Sequence, residues 1–172
     1  MKALIAGLLL FYLASAPTWA ARVPSAVEFR AAYCSRILQW SVHQRQSDES
    51  MLEQELRARR EGLLPKWRAG LSDEPLQEML QRSKKEAVSD RAASVKLRRY
   101  LEPRISSLEP EAMSAAKQRA EADMESVADL NGKCGFKCAH GPDFEACLAE
   151  ECGAEELIKR FTGCRDPSWL SN

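Results

Sequence analysis

The chain has 172 residues, with 25 basic and 25 acidic side chains, so its formal net charge is zero. This balance argues against bulk electrostatic attraction to nucleic acid or to anionic lipid as the basis of function. Alanine, leucine, glutamate and arginine are abundant, β-branched residues are few, and no stretch shows sustained alternation of apolar and polar residues. The composition therefore predicts an all-α fold.

The start of the chain has the pattern of a secretory signal peptide. A lysine at position 2 precedes the apolar run ALIAGLLLFYLASA, whose 14 residues are fewer than the about 20 that a membrane-spanning helix needs. The letters TWA that follow at 18–20 form a small-x-small cleavage site. We therefore expect residues 1–20 to be a signal peptide, cut after Ala20, and the mature protein to be periplasmic or secreted. A buried N-terminal helix is the alternative.

The mature chain, residues 21–172, is expected to form a single α-helical domain, because its length suits one hydrophobic core. The predicted architecture is a helical bundle of about five to seven helices. Residues 133–172 form a cysteine-rich C-terminal subregion within it. We find no internal repeat and no composition shift that would mark a second domain.

Capping boxes predict the first two helices. Ser25 and Glu28 have the spacing of a capping box, in which each side chain satisfies a backbone N–H of the first turn. The apolar positions that follow place Cys34 on the buried face of this helix. Ser50 and Glu53 repeat the pattern after the polar letters QRQSDE, and we expect a second helix to begin there.

Further start and stop signals follow along the chain. The letters SDEP from residue 72 predict a third helix that runs to about Leu101, with a break near 89–90 left open. The letters SLEPE at 107–111 predict a fourth, which Asn131-Gly132 should stop. Two short helices complete the prediction. One begins after Gly141-Pro142-Asp143 and ends at Gly153, and the other spans 155–162 and ends at Gly163. A surface tail anchored by Trp169 follows.

The charges are unevenly distributed. Residues 57–99 hold 12 basic and 6 acidic side chains, whereas residues 102–156 hold 5 basic and 13 acidic ones. One interpretation is that the third and fourth helices form an antiparallel hairpin with complementary facing charges. The other is that one face is presented to a partner. The candidate faces are the basic clusters RARR at 57–60 and KLRR at 96–99, and the acidic run at 150–156.

The six cysteines predict disulfides, because an even number in an exported protein is typically bonded. The spacings C-x3-C and C-x4-C, separated by a Gly-Pro reversal, suggest a C-terminal helical hairpin stapled by nested bridges. Elimination then pairs the two outer cysteines. Of 15 pairings, we favour Cys138 with Cys147, Cys134 with Cys152, and Cys34 with Cys164. Over about 19 residues the spacing is similar to the twin C-x3-C hairpins of disulfide-rich intermembrane chaperones and plant hairpin peptides. It implies no function here.

A metal site in the same stretch is the alternative use of these cysteines. Soft ligands for zinc or cuprous copper could come from Cys134, Cys138, His140, Cys147 and Cys152. The C-x-x-C spacing of thioredoxin-like and haem-binding motifs is absent. Because exported thiols are usually oxidised, we expect no cofactor and no metal.

Catalytic motifs are also absent: the chain has no G-x-S-x-G, no H-E-x-x-H and no phosphate-binding glycine loop. His43 has no nucleophile or acid placed around it by any motif. We therefore expect a non-enzymatic exported protein that binds another protein, in an inhibitor, immunity-type or adaptor role, and that neither binds nucleic acid nor inserts into a membrane. The alternatives are a metal-binding protein, and a periplasmic chaperone or stress protein with accessible methionines at Met51, Met79, Met113 and Met124.

The processing site is directly testable. Intact-mass spectrometry of the exported protein should give a chain that begins at Ala21 and contains no free thiol. A chain that retains residues 1–20 would contradict the signal-peptide prediction, and four free thiols would contradict the three-disulfide prediction.

Overall fold

The computed structural model describes residues 21–63, 72–138 and 144–171, so the predicted signal peptide lies outside the described residues. The predicted all-α fold is confirmed for this part of the chain. None of the described helices is long and apolar enough to cross a bilayer. The five α-helices are α1 (Ala26–Arg60), α2 (Glu74–Leu101), α3 (Pro110–Cys138), α4 (Phe144–Cys152) and α5 (Glu155–Arg165), with short 3-10 helices at Ile105–Ser107 and Pro167–Ser171.

The start of α1 is fixed by the predicted capping box and by the residues before it. Ser25 Oγ accepts a hydrogen bond from the Glu28 N–H at 3.3 Å, and the Ser25 N–H donates to the Glu28 carboxylate at 2.9 Å. The Arg22 guanidinium also donates to this carboxylate at 2.8 Å and holds the pKa of Glu28 at about 2. The backbone of Arg22 bonds to Ser107 and Glu109, at 2.9 Å in each case. The N-terminal segment is therefore anchored beside the connection between α2 and α3.

α1 does not stop where the sequence predicts. The expected helix start at Ser50 is wrong, because α1 continues through it. The whole helix has 35 residues and is about 52 Å long. The polar stretch contains no glycine or proline that would break a helix. α2 also runs antiparallel along this half of α1, with a Lys84–Glu53 ion pair of 2.7 Å. Tertiary packing thus overrides a local start signal.

α2 is a single helix, so the alternative of a break near 89–90 is wrong. Its N-cap is Asp73, while Ser72 Oγ accepts a hydrogen bond from the Glu74 N–H at 3.2 Å. Proline lies in the first turn, as predicted. The middle of α2 has few apolar residues and is held by a polar contact instead, because Asp90 accepts a hydrogen bond from Ser41 of α1 at 2.6 Å.

The predicted glycine stops at Gly132 and Gly163 are wrong. α3 passes through Gly132 and ends at Cys138, since disulfides to α4 hold its last turns. α5 passes through Gly163 and ends at Arg165. Gly153 does follow the end of α4, and its φ of +65° is the left-handed conformation that glycine adopts without steric cost.

The apolar core lies where α1, α2, α3 and α5 meet. α1 packs along both α2 and α3, whereas the described residues show no extensive packing of α2 against α3. The predicted hairpin with facing charges between these two helices is therefore wrong. Cys164 of α5 belongs to the core. The buried side chains of the three long helices are Ala31, Tyr33, Cys34, Ile37 and Leu38, then Ala93, Leu97 and Leu101, then Ala116, Ala120 and Met124.

Three disulfides complete the fold, and they leave no cysteine free. Two of them join α3 to α4 and form the predicted stapled hairpin. The third fastens α5 to α1 and is fully buried at both ends. The bonds, with their Cα–Cα distances, are Cys138–Cys147 at 5.6 Å, Cys134–Cys152 at 6.4 Å and Cys34–Cys164 at 5.1 Å. These are the favoured pairs, and disulfides are typical of periplasmic and extracellular proteins.

The long-range disulfide should contribute most to stability. Cys34→Ala with Cys164→Ala opens a loop of 130 residues and should lower the free energy of unfolding by about 5 kcal/mol in the chain-entropy model. Cys138→Ala with Cys147→Ala opens a loop of 9 residues and should cost about 2.6 kcal/mol. Urea unfolding measures both. Equal losses would show that loop entropy does not govern the difference.

Candidate docking surface

The cysteine-rich stretch from 134 to 152 is a cross-link in this structure. All four of its sulfurs are in disulfides, so the thiolates that the metal hypothesis needs are missing. Among the described residues, no group of three or more histidine, cysteine, aspartate or glutamate side chains could hold a metal ion. His140 lies outside the described residues. His43 lies on the exposed surface of α1.

A buried carboxylate joins three helices. Asp90 of α2 is 0% exposed and accepts hydrogen bonds from Ser41 Oγ at 2.6 Å and Arg45 Nε at 3.1 Å, both on α1. Arg165 Nε of α5 lies 3.3 Å from its second oxygen. Arg45 also forms an ion pair with Glu86, one turn before Asp90. Both acids in the middle of α2 are thus neutralised on its inner side.

A second buried carboxylate, Asp123 of α3, joins that helix to α1 and α5. It accepts hydrogen bonds from the Tyr33 hydroxyl of α1 at 2.8 Å and from Arg160 Nε of α5 at 3.1 Å. Burial raises the pKa of Tyr33, and the hydrogen bond to Asp123 raises it further. The tyrosine therefore stays a neutral donor. Each cluster orients helices around α5, and we assign both a structural role.

Because its central acids turn inward, the opposite side of α2 is basic. We define the outer face of α2 as an apolar stripe with flanking cations. Val88 is 65% exposed and Val95 is 45% exposed, and Ala92 between them is exposed as well. The two valines lie about 10 Å apart along the helix. The exposed cations that surround this stripe are Lys84, Lys85, Arg91, Lys96, Arg98 and Arg99.

The two basic clusters that the sequence offered differ in their pairing. In the RARR cluster, Arg57 pairs with Glu61 at 2.7 Å and Arg59 pairs with Asp73 at 3.5 Å. In the KLRR cluster, Lys96, Arg98 and Arg99 form no ion pair with any residue that the structure describes. Lys85 and Arg91 likewise have no acidic partner in the described ranges. The outer face of α2 therefore has unneutralised charge, and the RARR cluster has little.

The acidic run at 150–156 is a weaker candidate for a docking surface. Its residues fall on two helices, the end of α4 and the start of α5, with Gly153 between them. Lys159 pairs with Glu155 at 2.7 Å and with Glu156 at 3.5 Å. This run is therefore partly neutralised within α5, and the alanine at its centre, Ala154, is buried.

Two open grooves lie between the end of α1 and the start of α2. Their volumes are about 510 and 830 Å³, and both are lined by Leu56, Arg60 and Leu80. The chain between these two helix ends, residues 64–71, lies outside the described residues, and we propose no ligand for the grooves. Of the four methionines that a chaperone role requires, Met51 and Met79 are exposed, Met113 is half-buried and Met124 is buried.

Comparison with known proteins does not add a function. No family model matches the chain, and no curated protein and no solved structure is significantly similar to it. The interpretation of the outer face of α2 therefore rests on its own geometry and charge.

The sequence pointed to the basic residues of this face but not to its apolar centre. The middle of α2 has few apolar residues, and their spacing does not show which side of the helix faces the core. The sequence does not show which residues Asp90 bonds to. An aspartate in the middle of a basic helix, with Ser41 and Arg45 on another helix, turns the valines outward.

The inward orientation of α2 should depend on its buried carboxylate. Asp90→Ala would remove the buried carboxylate that Ser41, Arg45 and Arg165 contact and should lower the free energy of unfolding by about 3 to 5 kcal/mol. The matched control is Asp129→Ala on the exposed side of α3, where we expect a change within about 0.5 kcal/mol. Thermal and urea unfolding measure both. Equal effects would show that the Asp90 contacts do not orient α2.

Proposed function

We propose that this is an exported, non-enzymatic protein that binds another protein through the outer face of α2, in an inhibitor, immunity-type or adaptor role. One observation carries the proposal: Val88, Ala92 and Val95 are exposed at the centre of a ring of cations. Protein interfaces commonly combine a desolvated apolar centre with a polar rim that contains arginine.

The scaffold behind this face supports the proposal. α2 is bonded on its inner side to α1 and to α5 by the contacts of Asp90, and α5 is fastened to α1 by a buried disulfide. The outer face is therefore held on a rigid element. A preformed surface binds with a smaller loss of conformational entropy than one that must be ordered first.

A chaperone or stress role is the second candidate, and Met51 and Met79 favour it because they are 59% and 46% exposed. Flexible methionine side chains suit variable apolar clients. The two positions belong to the ends of α1 and α2 that lie away from the apolar core. A chaperone of this kind would suppress the aggregation of a model client at equimolar concentration, and Met51→Ser with Met79→Ser would abolish that suppression.

Site-specific photo-crosslinking tests the protein-binding proposal. A photoreactive amino acid at Ala92 of α2, in cells that export the protein, should give a discrete adduct with another protein. Val88→Ser with Val95→Ser should weaken binding about a hundredfold and lower the adduct yield accordingly, because each buried valine contributes on the order of 1.5 kcal/mol to binding.

Ala122 on the exposed side of α3 provides the matched control position. A photoreactive residue there should give no such adduct. The absence of an adduct at Ala92, or equal adducts at both positions, would refute the proposal. Circular dichroism and thiol counting verify that each variant retains its helices and its disulfides.

A further inference from the structure

The outer face of α2 has the spacing of one half of a helix–helix seam. Residues 85, 88, 92, 95 and 99 follow each other at intervals of three, four, three and four. This is the repeat that keeps side chains in line with a second helix lying alongside. Its centre is aliphatic, with Val88, Ala92 and Val95, and cations occupy both ends. No other helix of the described chain lies on this side, since the three residues are exposed.

The charged residues that flank the seam are all basic. Lys84, Arg91 and Arg98 recur every seven residues along one edge, and Lys96 lies on the other edge. In a pair of helices these edge positions face the edge residues of the partner and select its charge. Lys84 is paired with Glu53 at 2.7 Å, whereas Arg91, Arg98 and Lys96 have no acidic partner among the described residues.

From this register, and resting on the proposed function above, we infer that the partner contributes an acidic amphipathic helix that lies along α2 from Lys84 to Arg99. Its aliphatic residues would cover Val88, Ala92 and Val95. Its glutamates or aspartates would face Arg91, Arg98 and Lys96. The contact would be about 22 Å long, or four helical turns.

The same face suits other anionic surfaces less well. Interfacial membrane helices insert large side chains such as tryptophan, phenylalanine or leucine, whereas this stripe offers two valines and an alanine. Nucleic-acid surfaces combine cations with stacking aromatics or with hydrogen-bonding side chains that contact bases, and the centre of this stripe, two valines and an alanine, offers neither. An acidic helix uses both the cations and the apolar centre.

A designed probe tests this chemistry directly. The probe is a labelled peptide of about 21 residues, three heptads, with leucine along the seam and glutamate at the edges. Fluorescence anisotropy measures its binding to the mature, oxidised protein, with a scrambled peptide of the same composition beside it. We expect the heptad peptide to bind at least about tenfold more tightly than the scrambled one.

Matched charge reversals locate the site. Lys96→Glu with Arg98→Glu should weaken binding at least about tenfold, because like charges would then face each other. Lys117→Glu with Lys133→Glu on α3 makes the same change in net charge and should alter binding less than about twofold. Equal weakening by both pairs, or equal binding of the scrambled peptide, would overturn the inference in favour of bulk attraction.

Three further arms exclude other occupants. Vesicles of phosphatidylglycerol and a short DNA duplex should bind weakly. If either binds tightly, and if Lys96→Glu with Arg98→Glu abolishes that binding, the assignment to a protein helix is overturned. Sedimentation of the protein alone would reveal a second copy as the occupant, if the same reversal abolished self-association. That result would equally overturn the inference.

The photo-crosslinking experiment separates this inference from the proposed function. If Lys96→Glu with Arg98→Glu leaves the adduct at Ala92 unchanged, the protein-binding proposal stands and the inference of an acidic helix is wrong. If no adduct forms at Ala92, both the protein-binding proposal and the inference of an acidic helix are wrong. An adduct that the reversal abolishes, with a crosslinked peptide rich in acidic residues, supports both.

Discussion

The arrangement of the helices depends on the Cys34–Cys164 disulfide. This bond fastens α5, only 11 residues long, to α1 inside the core. From that position Arg160 reaches Asp123 of α3, and Arg165 reaches Asp90 of α2. One short helix therefore contacts all three long ones. Without it, Asp90 and Asp123 would still contact α1, but each would lose the arginine that ties it to α5.

Rotation matters because it decides which charges reach solvent. α2 has basic residues on most sides, and its two central acids occupy the side that faces α1. Pairing those acids with Arg45 neutralises the inner side and leaves the cations outside. The charge imbalance of the sequence thus becomes a surface property only through a few buried ion pairs. An overall charge near zero conceals a helix face that is strongly positive.

The features that were predictable from the sequence are local ones. Capping residues at Ser25, helix composition and the spacing of the cysteines indicated the fold class, the start of α1 and the stapled hairpin. The errors at Ser50 and Gly132 have a common cause: both are local signals for a helix end or start, and distant contacts override them. The outward side of α2 was unpredictable because Asp90 and Arg45 are 45 residues apart in the chain.

The nested order of the disulfides has a consequence for biogenesis. In chain order the first cysteine bonds to the last, the second to the fifth and the third to the fourth, so Cys138–Cys147 alone joins sequence neighbours. If the chain were oxidised while it crossed a membrane with its N-terminus first, Cys34 would bond to Cys134 first. The native bonds then require thiol–disulfide exchange, or oxidation delayed until Cys164 has emerged. The connectivity alone therefore separates two orders of events: folding before oxidation gives the nested bonds directly, and oxidation before folding gives them only after rearrangement.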